Sequence, residues 1–460
     1  MRLILSIGQR IRRERMYLSW SQQLLAETVG TSTTSINRWE NDKTLPHPYY
    51  RKQLCVIFGK PIEEIFSPAD TGEQTEQRQH QVWNVPYLRN IYFTGREDIL
   101  HALHNAFLAT QTADATRFCA LSGLGGIGKT QVAIEYVYRY GHEYNAILWA
   151  TADTHQELVA SFDTCAGLLG LLTKPELSTQ TPIQEVLHWL HTNQHWLLIF
   201  DGVDNLEMIS EFLPRRGEGH ILLTTRSQAT GSSIKGINVT PMGQAESFLL
   251  LLRRAKLISN VTELASISTS MRQDAEMICA LFGGLPLALD QAATYIEENQ
   301  CELRNYYALY QGQRKALLKR RGGANKRGYS RSVATTWTSS FQQIEQSNPI
   351  AADLLRLLAF LPPGTISQEV LVAGIVGLDE VLQPIAQNSL ILDDAIGELL
   401  RYSLVGRYLE TKMLTIHPLV QQVIKDRLDE MAQRQWAMRA TQIVNHVLSA
   451  NLILLGGQRK

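Results

Sequence analysis

Four short apolar runs, RFCALS (117–122), AILWA (146–150), HWLLIF (195–200) and HILLTT (220–225), are separated by stretches of helical periodicity. Runs of that length read as strands, and their alternation with helices predicts a parallel sheet with crossover connections across residues 91–243. Residues 1–66 read as helical. The stretch 67–90 is polar, Gln-rich and poor in aliphatics until its end, as suits a linker. From 244 to 328 the pattern is helical. Residues 329–425 read as helices plus a hairpin-like piece, LVGRYLETKMLTIH, and 426–460 as trailing helices. No repeat with a period of 20–50 residues interrupts this order.

A chain of 460 residues is too long for one core and should hold three or four domains. Its 44% hydrophobic and 19% charged content is that of a soluble globular protein. Formal net charge is zero, so any nucleic-acid contact must come from local patches. No apolar run reaches the roughly 18–20 residues that a membrane span needs. The start, MRLILSIGQRIRR, places its arginines after a short apolar run, the wrong order for a signal peptide. The five cysteines lack CxxC spacing and read as reduced thiols of a cytoplasmic protein.

The stretch LSGLGGIGKTQ (121–131) changes this picture. It fits G-x-x-x-x-G-K-[ST] at Gly123, Gly128, Lys129 and Thr130, after a strand and before the helical VAIEYVYRY. Glycines let backbone N–H groups point at phosphate oxygens, and a helix N-terminus adds its positive end. The expected nucleotide cradle is Gly123, Gly125, Gly126, Ile127, Gly128, Lys129, Thr130 and Gln131. Lys129 would reach the β- and γ-phosphates and Thr130 would ligate Mg²⁺. HWLLIFDGVDN supplies Asp201 at a strand end as the second metal ligand. Asp204 could orient an attacking water; the alternative is a turn or helix-capping residue. HILLTTRSQ ends in Arg226, placed to reach a γ-phosphate from the end of its strand.

These pieces in this order resemble a STAND-class ATPase of the NB-ARC type, over about residues 91–425. YFTGREDIL (92–100), GGLPLAL (283–289) and TIHPL (415–419) add to the likeness. The resemblance implies a P-loop NTPase domain (91–243), a helical domain (244–328) and a winged-helix domain (329–425). It implies that Arg96 lies near the adenine, that Pro286 packs against the base, and that His417 touches the β-phosphate of ADP. ADP would then lock the domains closed, and exchange for ATP would release them, with self-association as a consequence. Three departures stand out. Gly202 follows Asp201 where a second acid is common, which leaves Asp204 as the nearby base and speaks against fast hydrolysis. Pro418 follows His417 where an acid is usual. The long repeat sensor common in such chains does not follow the winged helix here, so the sensor is expected to be missing, truncated or on another chain, an unknown effector or sensor protein.

IGQRIRRERMYLSWSQQLLAETVGTSTTSINRWENDKTLP resembles a helix-turn-helix of the Cro/lambda-repressor (XRE) type. Ser21 would cap a helix starting at Gln22, with Leu25, Ala26 and Val29 facing inward and Gly30 making the turn. The recognition helix would run about Ser32–Glu40, with Ile36 and Trp39 in the core. Ser32, Thr33, Thr34, Asn37 and Arg38 would then face duplex DNA, while Gln22 and Arg10, Arg12 and Arg13 reach phosphates. Residues 1–66 hold ten Lys/Arg and six Asp/Glu, a local surplus of four positive charges. Against DNA reading, TSTTSIN has few bidentate base readers, and a protein-interaction domain is the alternative.

The histidines 188, 191, 195, 101 and 104 lack convergent cysteine or carboxylate partners and are not read as a metal site. The basic run 314–331, with eight Lys/Arg and no acid, reads as a solvated connector, with a second DNA or effector contact as the alternative. The sequence therefore predicts a cytoplasmic, ATP/ADP-switched DNA-binding regulator of transcription. Its rivals are a defence or stress ATPase recruiting a protein partner, and an ATP-driven motor acting on DNA.

Overall fold

A computed structural model describes residues 6–46, 48–60, 65–66, 82–108, 116–171, 181–214, 216–228, 234–259, 267–319, 332–362, 364–376, 381–408 and 410–457. Most of the expected linker, and the part of the basic run beyond 319, lie outside the described residues. The chain divides into two compact units, Met1–Val82 with Tyr136–Ile147, and Trp83–Glu135 with Leu148–Lys460.

In the first unit, α1 (Ile7–Tyr17), α2 (Gln22–Val29), α3 (Thr33–Glu40) and α4 (Pro48–Phe58) surround one core. Local chemistry sets each boundary. Ser6 and Gln9 form a capping box on α1, Ser21 accepts from Leu24 N on α2, and Ser32 accepts from Ser35 N on α3. Gly30 ends α2 at φ 74°, left-handed backbone that costs glycine little. Ile11, Leu25, Ile36 and Leu54 are fully buried, each contributing about 1.5–3 kcal/mol. One carboxylate, Glu40, is buried among them. It accepts from Arg15 Nε at 2.5 Å and from Gln22 Nε2 at 2.7 Å, and these bonds offset the cost of burying it.

Downstream come β1 (Val82–Trp83), α5 (Glu97–Leu108), β2 (Arg117–Ser122), α6 (Lys129–Tyr140), β3 (Ala146–Thr151), α7 (His155–Leu168), α8 (Pro182–Thr192), β4 (Gln194–Asp201), β5 (Glu218–Thr225) and β6 (Lys235–Asn238). The strands form one sheet in the order β1-β3-β4-β5-β2-β6. The β2/β5, β2/β6 and β4/β5 ladders are parallel, as the alternation predicts. Helices on both faces leave the inner strands no solvent side, so they read as unbroken apolar runs. Leu197 to Phe200 are all fully buried. Register brings the strand ends level: Asp201 lies opposite Thr224, and Ser122 opposite Thr225. The loops after β2, β4 and β5 therefore open side by side at the carboxyl edge of the sheet, where open α/β sheets bind ligands.

The remaining chain is helical: α9 (Gln244–Arg254), α10 (Thr269–Phe282), α11 (Pro286–Asn299), α12 (Leu303–Lys319), α13 (Val333–Ser347) and α14 (Pro349–Phe360). Then follow β7 (Gly364–Ser367), α15 (Gln368–Ile375), α16 (Gln383–Gln387), α17 (Ser389–Arg401), β8 (Val405–Tyr408), β9 (Met413–Ile416), α18 (Pro418–Arg427) and α19 (Glu430–Gly457). The hairpin expected at 404–417 is β8–β9, and β7 joins it to make an antiparallel sheet in the order β7-β9-β8. Among the described residues no helix is long and apolar enough to cross a membrane.

Candidate nucleotide site

The loop between β2 and α6 has the backbone that a phosphate cradle requires. Gly123, Gly126 and Gly128 sit at φ 144°, 83° and 97°, conformations that side chains strain to reach. At Gly125 the restriction is space. A Cβ there would come within 2.9 Å of Thr336 Cγ2 and 3.2 Å of Trp337 Nε1.

Lys129 opens α6 and curls back over the loop, its Nζ donating to Gly123 O at 2.7 Å and Leu124 O at 3.1 Å. Burial pushes this ammonium down to about 7, Arg226 adds to the shift, and Asp201 and Asp204 oppose it. The next residue, Thr130, donates to Asp201 Oδ1 at 2.7 Å. Thr224 donates to the same oxygen at 2.6 Å while accepting from Gly202 N at 2.9 Å, which fixes the carboxylate at the end of β4.

Thr130 and Asp201 thus stand together as a hydroxyl–carboxylate pair that could hold Mg²⁺ beside a bound phosphate. Among the described residues no group of three or more His, Cys, Asp or Glu could hold a metal by itself. Gln131 accepts from Asn90 Nδ2 at 2.9 Å, tying the start of α6 to the segment ahead of α5.

Arg96 is buried at φ 67° and crosses beneath the loop, donating to Thr240 O at 2.7 Å and Ile127 O at 3.4 Å. Its backbone N–H bonds Glu246 Oε1 at 2.7 Å. Burial lowers its pKa. Arg96 therefore braces Ile127, and through it the cradle.

Elements from far along the chain cover the loop. Pro286 starts α11 and would sit 3.9 Å from a Cβ at Gly128. Its neighbour Leu287 donates through its backbone to Gly126 O at 3.2 Å. From α13, Trp337 Nε1 donates to Gly125 O at 3.1 Å.

Arg226, just past β5, donates to Ser340 Oγ of α13 at 2.5 Å, lies 3.7 Å from Asp204, and accepts at its carbonyl from Ser403. Asp204 is exposed, and it is Asn205 that accepts from Glu207 N in the turn that follows. His417 meets Gly283, not a loop residue: its Nε2 is 3.0 Å from Gly283 O. Nδ1 accepts from Leu419 N, so the proton sits on Nε2, and burial lowers the imidazole pKa. Pro418 is the first residue of α18, with His417 its N-cap. Proline is favoured there, which accounts for its place in the sequence.

One acid was missed. With Gly202 after Asp201, the sequence points to Asp204 as the nearby base. The structure adds Asp153, whose Oδ1 lies 2.2 Å from where a Cβ on Gly202 would be. Sequence distance hides it, because only the placement of β3 beside β4 brings the two together.

In the first unit, Ser32, Thr33, Thr34, Asn37 and Arg38 are all exposed on or beside α3, while Ile36 and Trp39 are buried. Arg12 and Arg13 are exposed, with Arg13 2.7 Å from Glu14, and Arg10 reaches Ile65 O at 3.4 Å. Gln22 is half-buried between Glu40 and Asn37.

Comparison with known proteins matches three of these parts to domain families. The NB-ARC domain family matches residues 96–256, a helix-turn-helix family matches 11–65, and a domain of unknown function (DUF7779) matches 342–433. The chain thus carries an NB-ARC domain, with a helix-turn-helix domain ahead of it. A nucleotide-binding leucine-rich repeat (NLR)-like protein of Hyaloscypha variabilis is 27% identical over 425 residues, covering 84% of this chain and 39% of that protein. The chain thus spans about two fifths of the length of this curated relative.

Among solved structures, a STAND protein with a tetratricopeptide repeat sensor from Pyrococcus horikoshii is 15% identical at a TM-score of 0.32, covering 79% of this chain and 46% of that one. The Aeropyrum pernix ORC2 protein is 16% identical at 0.41, covering 82% and 99%. Both likenesses are distant.

Proposed function

We propose that the protein is a nucleotide-governed regulator: ATP or ADP at the P-loop sets the arrangement of the helical and carboxyl-terminal elements, and the helix-turn-helix binds duplex DNA to control transcription in the cytoplasm. One observation carries the reading. Gly125 and Gly126, which would meet the phosphates, are the residues whose carbonyls hold Trp337 and Leu287. A ligand that shifts this loop shifts those two contacts with it. The switch is therefore built into the binding site.

In this reading Lys129 and the loop N–H groups bind the phosphates, and Thr130 and Asp201 hold Mg²⁺, which would neutralise phosphate charge. Pro286 closes over the base, and Arg226, with Asp204 beside it, senses the γ-phosphate. ADP favours the clasped state and ATP the released one, which is open to self-association and to an effector or sensor protein. Turnover is slow because the work is done by occupancy.

The test is to denature freshly purified full-length protein and identify the released nucleotide. Near-stoichiometric ADP is expected. A protein that releases none, and turns over added ATP many times per minute, is a motor and not a switch. For the amino-terminal domain the expected result is salt-dependent binding of the full chain to duplex DNA. Its absence at low salt would favour recruitment of a protein partner.

A further inference from the structure

The carboxylate beside Gly202 is exposed, yet its backbone is held from both sides. β3 ends at Thr151, Ala152 N donates to Asp201 O at 2.8 Å, and Thr154 caps α7 by accepting from Glu157 N at 3.2 Å. Asp153 falls between these anchors in a short strand-to-helix connection. It lies against Gly202 so closely that a Cβ there would meet Oδ1 at 2.2 Å and Cγ at 3.3 Å. Gly202, at φ 88°, carries no side chain to contest the place. The carboxylate that is absent after Asp201 in sequence is thus present in space, delivered by the neighbouring strand. Asp204 is set differently, 3.7 Å from the Arg226 guanidinium.

We infer that Asp153 positions the water that attacks the γ-phosphate of ATP and accepts its proton; this rests on the nucleotide-switch reading of the same site. The water oxygen forms a bond to the γ-phosphorus while the bond from that phosphorus to the β–γ bridging oxygen breaks. The electron pair of that bond leaves with ADP. The water's proton passes to the Asp153 carboxylate and then to the released phosphate.

Three measurements on the full-length protein test this: ADP and ATP affinity, the single-turnover rate on pre-bound ATP, and the pH profile of that rate. Asp153→Asn is expected to keep both affinities within about twofold and to lower the single-turnover rate about 100-fold, the usual scale of a lost general base. It should also abolish the rise in rate with pH that titration of the carboxylate produces. Asp153→Glu should recover part of the rate, which loss of a merely structural side chain would not allow.

An Asp153→Asn rate equal to wild type overturns the inference. So does a larger loss in Asp204→Asn than in Asp153→Asn, loss of ATP affinity in Asp153→Asn, or a wild type that binds ATP without hydrolysing it. A wild type that binds neither nucleotide overturns the switch reading itself.

Discussion

His220 stacks on Phe107 with ring centroids 4.5 Å apart and planes within 6°, and its Nε2 faces Arg117 Nη1 at 3.3 Å. A cationic ring cannot accept from a guanidinium, so the arrangement requires neutral imidazole. Burial pushes its pKa down to about 4, with the charges of Arg117, His195 and His104 adding to the shift. Because the folded pKa lies below the unfolded value near 6.5, the unfolded chain binds more protons between those limits. Stability from this group is therefore full above about pH 6.5 and falls as pH drops toward 4. His220→Phe keeps the stack and removes the titration. Its melting temperature should decline less than wild type between pH 6.5 and 4.5, and parallel declines would show that the ring does not carry the acid sensitivity.

At the scale of elements, strands buried on both faces announce themselves as apolar runs, and β2 to β5 were legible for that reason. The edge strand β6, KGIN, is largely exposed and has no such pattern. Caps and loops were legible where their chemistry is local: Ser21, Gly30 and the P-loop glycines all act within a few residues of themselves. What α13 does was not legible, since no periodicity tells that Trp337 will reach Gly125.

That contact, and the one between His417 and Gly283, each support a prediction. Trp337→Ala and His417→Ala should each speed ADP release, Trp337 by freeing the loop carbonyl and His417 by freeing Gly283 at the end of α10. A stopped-flow chase with fluorescent ADP checks both, and an unchanged off-rate in either removes that contact from the clasp. On α3, Arg38→Ala should weaken binding to all duplexes and lower the salt slope by about one if Arg38 meets a phosphate. Loss confined to one sequence would make it a base reader.

For the molecule as a whole, the question is how much one phosphate can move. Turning a clasped population of 99% into a released one of 99% requires ATP to favour the released state over the clasped by about 10⁴-fold, or roughly 5.5 kcal/mol. Among the described residues the clasp includes the neutral hydrogen bonds from Trp337 to Gly125 and Leu287 to Gly126, with the Arg226–Ser340 bond beside them. Net contributions of about 0.5–1.5 kcal/mol each for neutral bonds, and more for one to a guanidinium, put their sum in the range that a γ-phosphate can overcome. ATP alone should then suffice to release the elements, with no effector present, once hydrolysis is blocked. Light scattering of the full-length protein should give one mass with ADP and a larger mass with a non-hydrolysable ATP analogue, if the released state self-associates. Lys129→Ala, which removes the phosphate-binding ammonium, should hold the ADP-state mass under both conditions. A wild-type mass that ignores the nucleotide would mean that the clasp is stronger than these bonds, and that opening needs the effector or sensor protein as well as ATP.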